Sequence, residues 1–318
     1  MNRYARGVVG AAVLLLSLGA SMPSPVAAQV QDPRPVLGGH RFIWNSFTES
    51  PFPRTHVRNN TGGGKITGLE FFPSFDLGGG IILPAVKGDL LFAELEFEYM
   101  QQVQPWLGVW ARVGGIARVG TDAGSVLAQG VSAIFGYELG WLFRLYQNDS
   151  FVLSGTAALS DDGVTDVNVL RWVRGVIDDT GEPLVSSGPR LRTKGGLRAA
   201  WGLNENWGLQ FKSELGYGEP TIPLVDSEWI WDHAASVSYD LAPTTSVPLG
   251  FVLSGASRAA PREGGNPEVR SRDVGLRTAF TGRDNFLVAF DTNWNSFQLP
   301  DGDDVSLIRA GLSLQLFF

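Results

Sequence analysis

The sequence predicts an all-β protein, a transmembrane antiparallel up-and-down β-barrel of about twelve strands. Three observations predict it. Apolar residues recur at every second position over strand-length segments, a period no helix sustains on one face. Beyond residue 28, no apolar run approaches the roughly 18–20 residues of a membrane-crossing helix. The connections between segments also alternate short and long, as an even-stranded barrel with both termini on one side requires.

In chain order, residues 1–28 read as a signal peptide. Arg3 and Arg6 precede the apolar Val8–Ala20, and Val26-Ala27-Ala28 forms a small-residue cleavage site. The chain has no Cys, which removes disulfides, thiolate metal sites and thiol catalysis. Of 25 basic residues the leader takes Arg3 and Arg6, leaving 23 against 32 acidic ones, a formal charge of −9. That charge disfavours a nucleic-acid partner. Forty Gly and 35 aromatics (10 Trp, 6 Tyr, 19 Phe) beside only 18% charged residues suit strands with an apolar outside.

Residues 29–64 carry Pro33, Pro35, Pro51, Pro53 and the run Gly62-Gly63-Gly64, and read as an irregular periplasmic lead-in that partly enters the lumen. The segment Gly62–Thr67 lacks the spacing of a phosphate loop. The barrel is expected over 65–318. Its first strand is placed near 65–76. Leu91, Ala93, Leu95, Phe97 and Tyr99 then share a face opposite Glu94, Glu96 and Glu98. Leu107, Val109, Ala111 and Val113 oppose Trp110, Arg112 and Arg118. Ala133, Phe135, Tyr137, Leu139, Trp141, Phe143 and Leu145 give seven apolar residues at strict spacing of two. Segments 151–160, 188–203, 207–219, 229–241, 246–257, 269–281, 286–297 and 305–318 repeat the pattern. Short turns fall at 102–106, 147–150, 204–206, 242–245 and 282–285, and the longer links between them are external loops.

The longest loop holds Val167, Leu170, Val173, Val176 and Ile177 at helical spacing. It predicts a short helix capped by Asp166, either a lid at the membrane surface or an insert narrowing the lumen. Aromatics gather near strand ends: Trp106, Trp141, Phe151, Trp201, Trp207, Tyr239 and Phe286 toward the short turns, Tyr217, Trp229, Trp231, Trp294 and Phe297 toward the long loops. Two interfacial girdles account for them, with an aromatic sugar-binding track as the alternative.

The last strand, Val305–Phe318, alternates Ile308, Ala310, Leu312, Leu314, Leu316 and Phe318 with a more polar set and stops on an aromatic residue. It resembles the C-terminal signature of bacterial outer-membrane β-barrels. The resemblance implies integral outer-membrane location, contact with outer-membrane lipid, and recognition of Leu314, Leu316 and Phe318 by the barrel-assembly machinery.

With the apolar set toward lipid, the polar set lines the interior: Glu94, Glu96, Glu98, Arg112, Arg118, Glu138, Arg144, Arg190, Arg192, Lys194, Arg198, Lys212, Glu214, Asp232, Asp240, Arg277, Asp291 and Arg309. A register placing Glu96 opposite Arg112 is expected. These charges form either a stiffening salt-bridge network or a permeation path for small polar or charged solutes. The rival classes are a sealed structural or surface-interaction barrel and an outer-membrane lipid hydrolase. For the hydrolase only His40, His56 and His233 exist as bases. A Ser227–His233–Asp arrangement is conceivable, but the His-Ser-Asn pattern of barrel phospholipases is absent. Asp161-Asp162-Gly163 and Asp301-Gly302-Asp303-Asp304 read as acidic external loops without a defined calcium pattern. No metal or cofactor is expected.

Overall fold

The computed structural model describes residues 34–72, 75–76, 82–83, 86–121, 131–167, 185–188, 191–218, 228–260, 269–298 and 304–318. The signal peptide, most of the predicted loop helix, Ser227 and Arg190 lie outside the described residues.

Twelve long antiparallel strands form the barrel: β1 (His56–Phe72), β2 (Val86–Gln104), β3 (Leu107–Gly120), β4 (Val131–Gln147), β5 (Phe151–Val167), β6 (Leu191–Gly202), β7 (Trp207–Gly218), β8 (Glu228–Asp240), β9 (Leu249–Ala260), β10 (Val269–Phe280), β11 (Phe286–Gln298) and β12 (Asp304–Phe317). Each pairs with its successor, and β12 pairs back onto β1 from Ser306↔Thr67 to Phe317↔His56. That closure satisfies every backbone edge, the condition for strands in lipid. At 12 to 19 residues the strands exceed the roughly 9–11 that span a bilayer.

The period-2 faces sort as the sequence predicts. Phe135, Leu312 and Trp201 are 68%, 52% and 50% exposed on the outside, whereas the intervening Glu138, Ser313 and Arg198 are buried within. The short turns gather at one end of the barrel. One holds the only helix among the described residues, α1 (Ala242–Thr245).

Several boundaries differ from expectation. The first strand begins at His56, so Gly62-Gly63-Gly64 is strand and not a loose lead-in. The Ala310 and Ile308 carbonyls of β12, the Phe92 carbonyl of β2 and the Phe92 ring crowd these positions so closely that no side chain fits. Absence of a Cβ there serves packing, which composition alone reads as a turn. Asp161-Asp162-Gly163 is likewise strand, because β5 continues to Val167. Asp166 pairs with Ser132 and Ser186 and does not cap a helix. The register of β2 and β3 sets Glu98, not Glu96, opposite Arg112, because the turn is only Pro105-Trp106 with a bulge near Val103.

Candidate functional site: the plugged lumen

Residues 34–55 enter the barrel at its short-turn end and fold back within it. Val36–Leu37 pairs with His40–Arg41 in a hairpin whose tip, Gly38-Gly39, has φ of +57° and +83°, the left-handed region such tight turns need. Gly38 N–H donates to the Asp149 carbonyl (2.7 Å), and Arg41 pairs with Asp284 at 2.6 Å. Arg34 donates to the Thr281 carbonyl at 3.3 Å. The chain then carries Phe42, Ile43 and Trp44 inward; all three are at most 1% exposed. Phe42 and Trp44 stack at 6.3 Å, and Trp44 meets Phe52 at 5.5 Å and Phe317 at 6.2 Å. Asn45 Oδ1 accepts the N–H groups of Phe47 (2.8 Å) and Thr48 (2.9 Å), reversing the chain. Ser154 Oγ holds the returning strand at the Pro51 carbonyl (2.6 Å).

The wall is shaped for this insert. Positions facing the plug are glycine on five strands: Gly202 beneath Leu37, Gly208 beneath His40 and Phe42, Gly250 beneath Ile43, Gly275 beneath Phe47, and Gly108 beneath Pro53. A barrel of twelve strands has limited room, and deleting side chains along the contact makes the space. Polar seats complete it. His40 Nε2 meets Ser238 Oγ at 2.7 Å while Nδ1 faces the Glu205 carbonyl (3.2 Å). Burial dominates at His40 and lowers its pKa to about 4, so the ring is neutral at pH 7. Gln210 Nε2 donates to the Ile43 carbonyl (3.0 Å), Thr48 Oγ1 lies 3.2 Å from Ser236 Oγ, and Arg277, forked onto Asp291 at 2.6 and 2.7 Å, also donates to the Trp44 carbonyl.

At the turn of the plug stands Glu49, buried and with φ of +54°, a conformation costly for a non-glycine residue. Its carboxylate pairs with Arg112 (3.0 Å) and with Arg198. Burial pushes its pKa up, but Arg198, Lys212 and Arg112 outweigh burial and hold it well below the usual carboxylate range. Arg112 also reaches Glu98 (2.5 Å) and Glu138 (3.3 Å), Arg58 reaches Glu98 (2.8 Å), Lys194 reaches Glu138 (2.7 Å) and Arg198 reaches Glu214 (2.8 Å). The Arg198 guanidinium lies 5.0 Å over the Trp110 ring, whose Nε1–H donates to Glu138 (3.0 Å). Beyond the plug tip (Ser46, Phe47) the lumen opens into a cavity of about 360 Å³ bordered by Glu94, Glu96, Glu138, Arg112, Lys194 and Arg309.

The structure thus brings together Glu96, Glu98, Arg112, Glu138, Lys194, Arg198, Lys212 and Glu214 in one network. Glu94 pairs with Arg309 and Asp232 with Arg258 nearer the long loops. Arg118 and Arg192 also face inward, and Arg144 sits at the short-turn rim, donating to Gln147 (2.6 Å). Asp240 accepts from Thr281 at 3.0 Å below the plug. His233 faces outward against Trp231 (4.8 Å), as the alternation predicts, and Leu314, Leu316 and Phe318 face outward with it. Sequence reasoning missed the plug-facing residues Gln210, Ser236 and Ser238, the inward Arg58, and Glu49 itself. The apolar triplet Phe42-Ile43-Trp44 in a Pro-rich segment was the available signal.

A closed twelve-strand barrel with a lipid-compatible exterior and a polar interior defines the class: the chain is a bacterial outer-membrane β-barrel, integral to that membrane. No family model matches it, and no curated protein matches it in sequence. Among solved structures it is similar to the COG4313 outer membrane channel from Pseudomonas putida F1, at 9% identity over 87% of this chain and 100% of that one, with a TM-score of 0.52. It is also similar to the β domain of the Bordetella autotransporter BrkA, at 8% identity over 83% of this chain and 100% of that one, TM-score 0.51. Identities this low establish the shared fold and nothing finer.

Proposed function

We propose that the protein is a non-enzymatic outer-membrane channel for small polar or charged solutes, closed in its resting state by its own residues 34–55. The observation that carries this reading is the seat: glycines placed where the plug passes, under a charged cavity that ends on the plug tip. The short-turn end faces the periplasm, and the inward charges set which solutes pass. Likeness to a channel of the same fold supports the reading without naming a solute.

Single-channel recording on the refolded protein tests it. Brief openings from a mostly closed wild type, and sustained current from Gly208→Leu, are expected. Silence from both variants overturns the channel and leaves the sealed structural barrel. The lipid-hydrolase reading finds little support: the His40–Ser238 pair is wholly buried, and His233 rests among outward aromatics. Lipase assays are expected to give the same result for wild type and His233→Ala.

A further inference from the structure

The ion-pair network around the plug tip is unbalanced without the plug. Its connected wall residues are five cations, Arg58, Arg112, Lys194, Arg198 and Lys212, and four carboxylates, Glu96, Glu98, Glu138 and Glu214. Glu49 supplies the fifth carboxylate. It does so from a left-handed backbone conformation, bridging Arg112 on β3 to Arg198 on β6. Removal of the plug leaves these two guanidiniums sharing one negative charge too few, inside a barrel where uncompensated charge is costly. The fork of Arg matches a planar carboxylate, and Arg198 is held from behind by the Trp110 ring, so the receptor stays in place when its occupant leaves. The same Arg112 borders the 360 Å³ cavity that lies against the plug tip at Ser46 and Phe47. A solute arriving through the cavity meets the guanidinium that Glu49 holds.

We infer that Arg112 and Arg198 form a carboxylate-binding site in the lumen, that Glu49 occupies it as an internal stand-in for the solute, and that a small carboxylate opens the channel by taking its place. The inference rests on the channel reading and narrows it to organic anions carrying a carboxylate. A tethered carboxylate acts at an effective concentration of roughly millimolar or above, so the competing solute has to be offered in the range of ~10–100 mM.

Propionate, the free equivalent of the Glu side chain, is the probe, with chloride at equal ionic strength as the control. Two readouts on the full chain are taken together: amide hydrogen exchange over residues 42–53, and current in a planar bilayer. In wild type, propionate is expected to raise exchange across 42–53 several-fold where chloride does not, and to raise open probability in step. Glu49→Gln is expected to show high exchange and frequent opening with no added carboxylate, and to lose the propionate response. Glu49→Asp, which keeps the charge, is expected to stay closed and responsive. Exchange that rises without current refutes the channel and leaves the carboxylate site standing. Current that is indifferent to propionate, in a protein whose Glu49→Gln variant opens no more than wild type, overturns the inference.

Discussion

The two halves of this barrel are built from the same alternating strands and filled on opposite principles. Near the short turns the interior is a protein core: Leu37, Phe42, Ile43, Trp44 and Phe52 pack against Val152, Ala200, Val252, Ala279 and Leu287 of the wall. Toward the long loops the interior holds charged side chains around a cavity, among them Glu94–Arg309 and Lys194–Glu138. The difference lies in the entering chain and in the wall together, since inward wall residues at the short-turn end are glycine or apolar where the plug runs and charged beyond it. The lesson is that this lumen is closed by an insertable part, whose stability is separable from that of the cylinder around it.

The largest expected effect comes from refilling the wall. Gly208→Leu sets a side chain where the His40 and Phe42 rings sit. Overpacking a close contact is expected to unseat the plug outright, read as loss of exchange protection over 36–48 while the strands stay protected. Trp44→Ala comes next. It removes a buried indole from the centre of the plug and is expected to cost plug docking about 3–5 kcal/mol. Thermal unfolding of the barrel should barely move. Movement of both together would show one cooperative core and break the comparison.

Acid is expected to act between these and the surface variants. His40 has a pKa of about 4 when seated and an ordinary one when released, so the released state binds the extra proton. Seating is therefore at full strength above about pH 6.5 and weakens as pH falls toward about 4, by up to roughly two orders of magnitude. Asp240 and Arg34, the charged groups facing the ring, oppose one another. Glu49 acts with the same sign at lower pH: its carboxyl is ionised in the seat, so seating weakens further once the released carboxyl protonates. His40→Asn should remove the upper part of this dependence, as read by plug exchange against pH. Smallest of all, Arg258→Ala near the long-loop end breaks an exposed pair with Asp232 and should change stability by less than about 1 kcal/mol.

The cylinder was legible in the sequence because lipid on one side and water or charge on the other imprint a period of two on every strand. Ala133 to Leu145 reads as outward with no structural information. The plug was far less legible. Phe42, Ile43 and Trp44 bury against one another, Phe52 and wall residues more than 100 positions away, so no local period marks them. Its seat is written in glycines, and glycine in a sequence reads equally as turn or as close approach; Gly62-Gly63-Gly64 shows how that ambiguity misplaced the first strand. Inward charges were found individually, but pairing of Arg112 with Glu98 instead of Glu96 depended on a two-residue turn and a bulge that composition does not specify. Glu49 carried no signal, since its role comes from cations on three other strands.

The central claim is that residues 34–55 lie inside the barrel and close it by a reversible contact. The chain has no Cys, so Thr48→Cys with Ser236→Cys introduces a single possible disulfide, at a site where the two native hydroxyls are 3.2 Å apart. Current through the oxidised double variant should be abolished at every pH, and reduction should restore the gating and the acid response of wild type. A disulfide that fails to form in the folded barrel, or a current untouched by its formation, would contradict the claim.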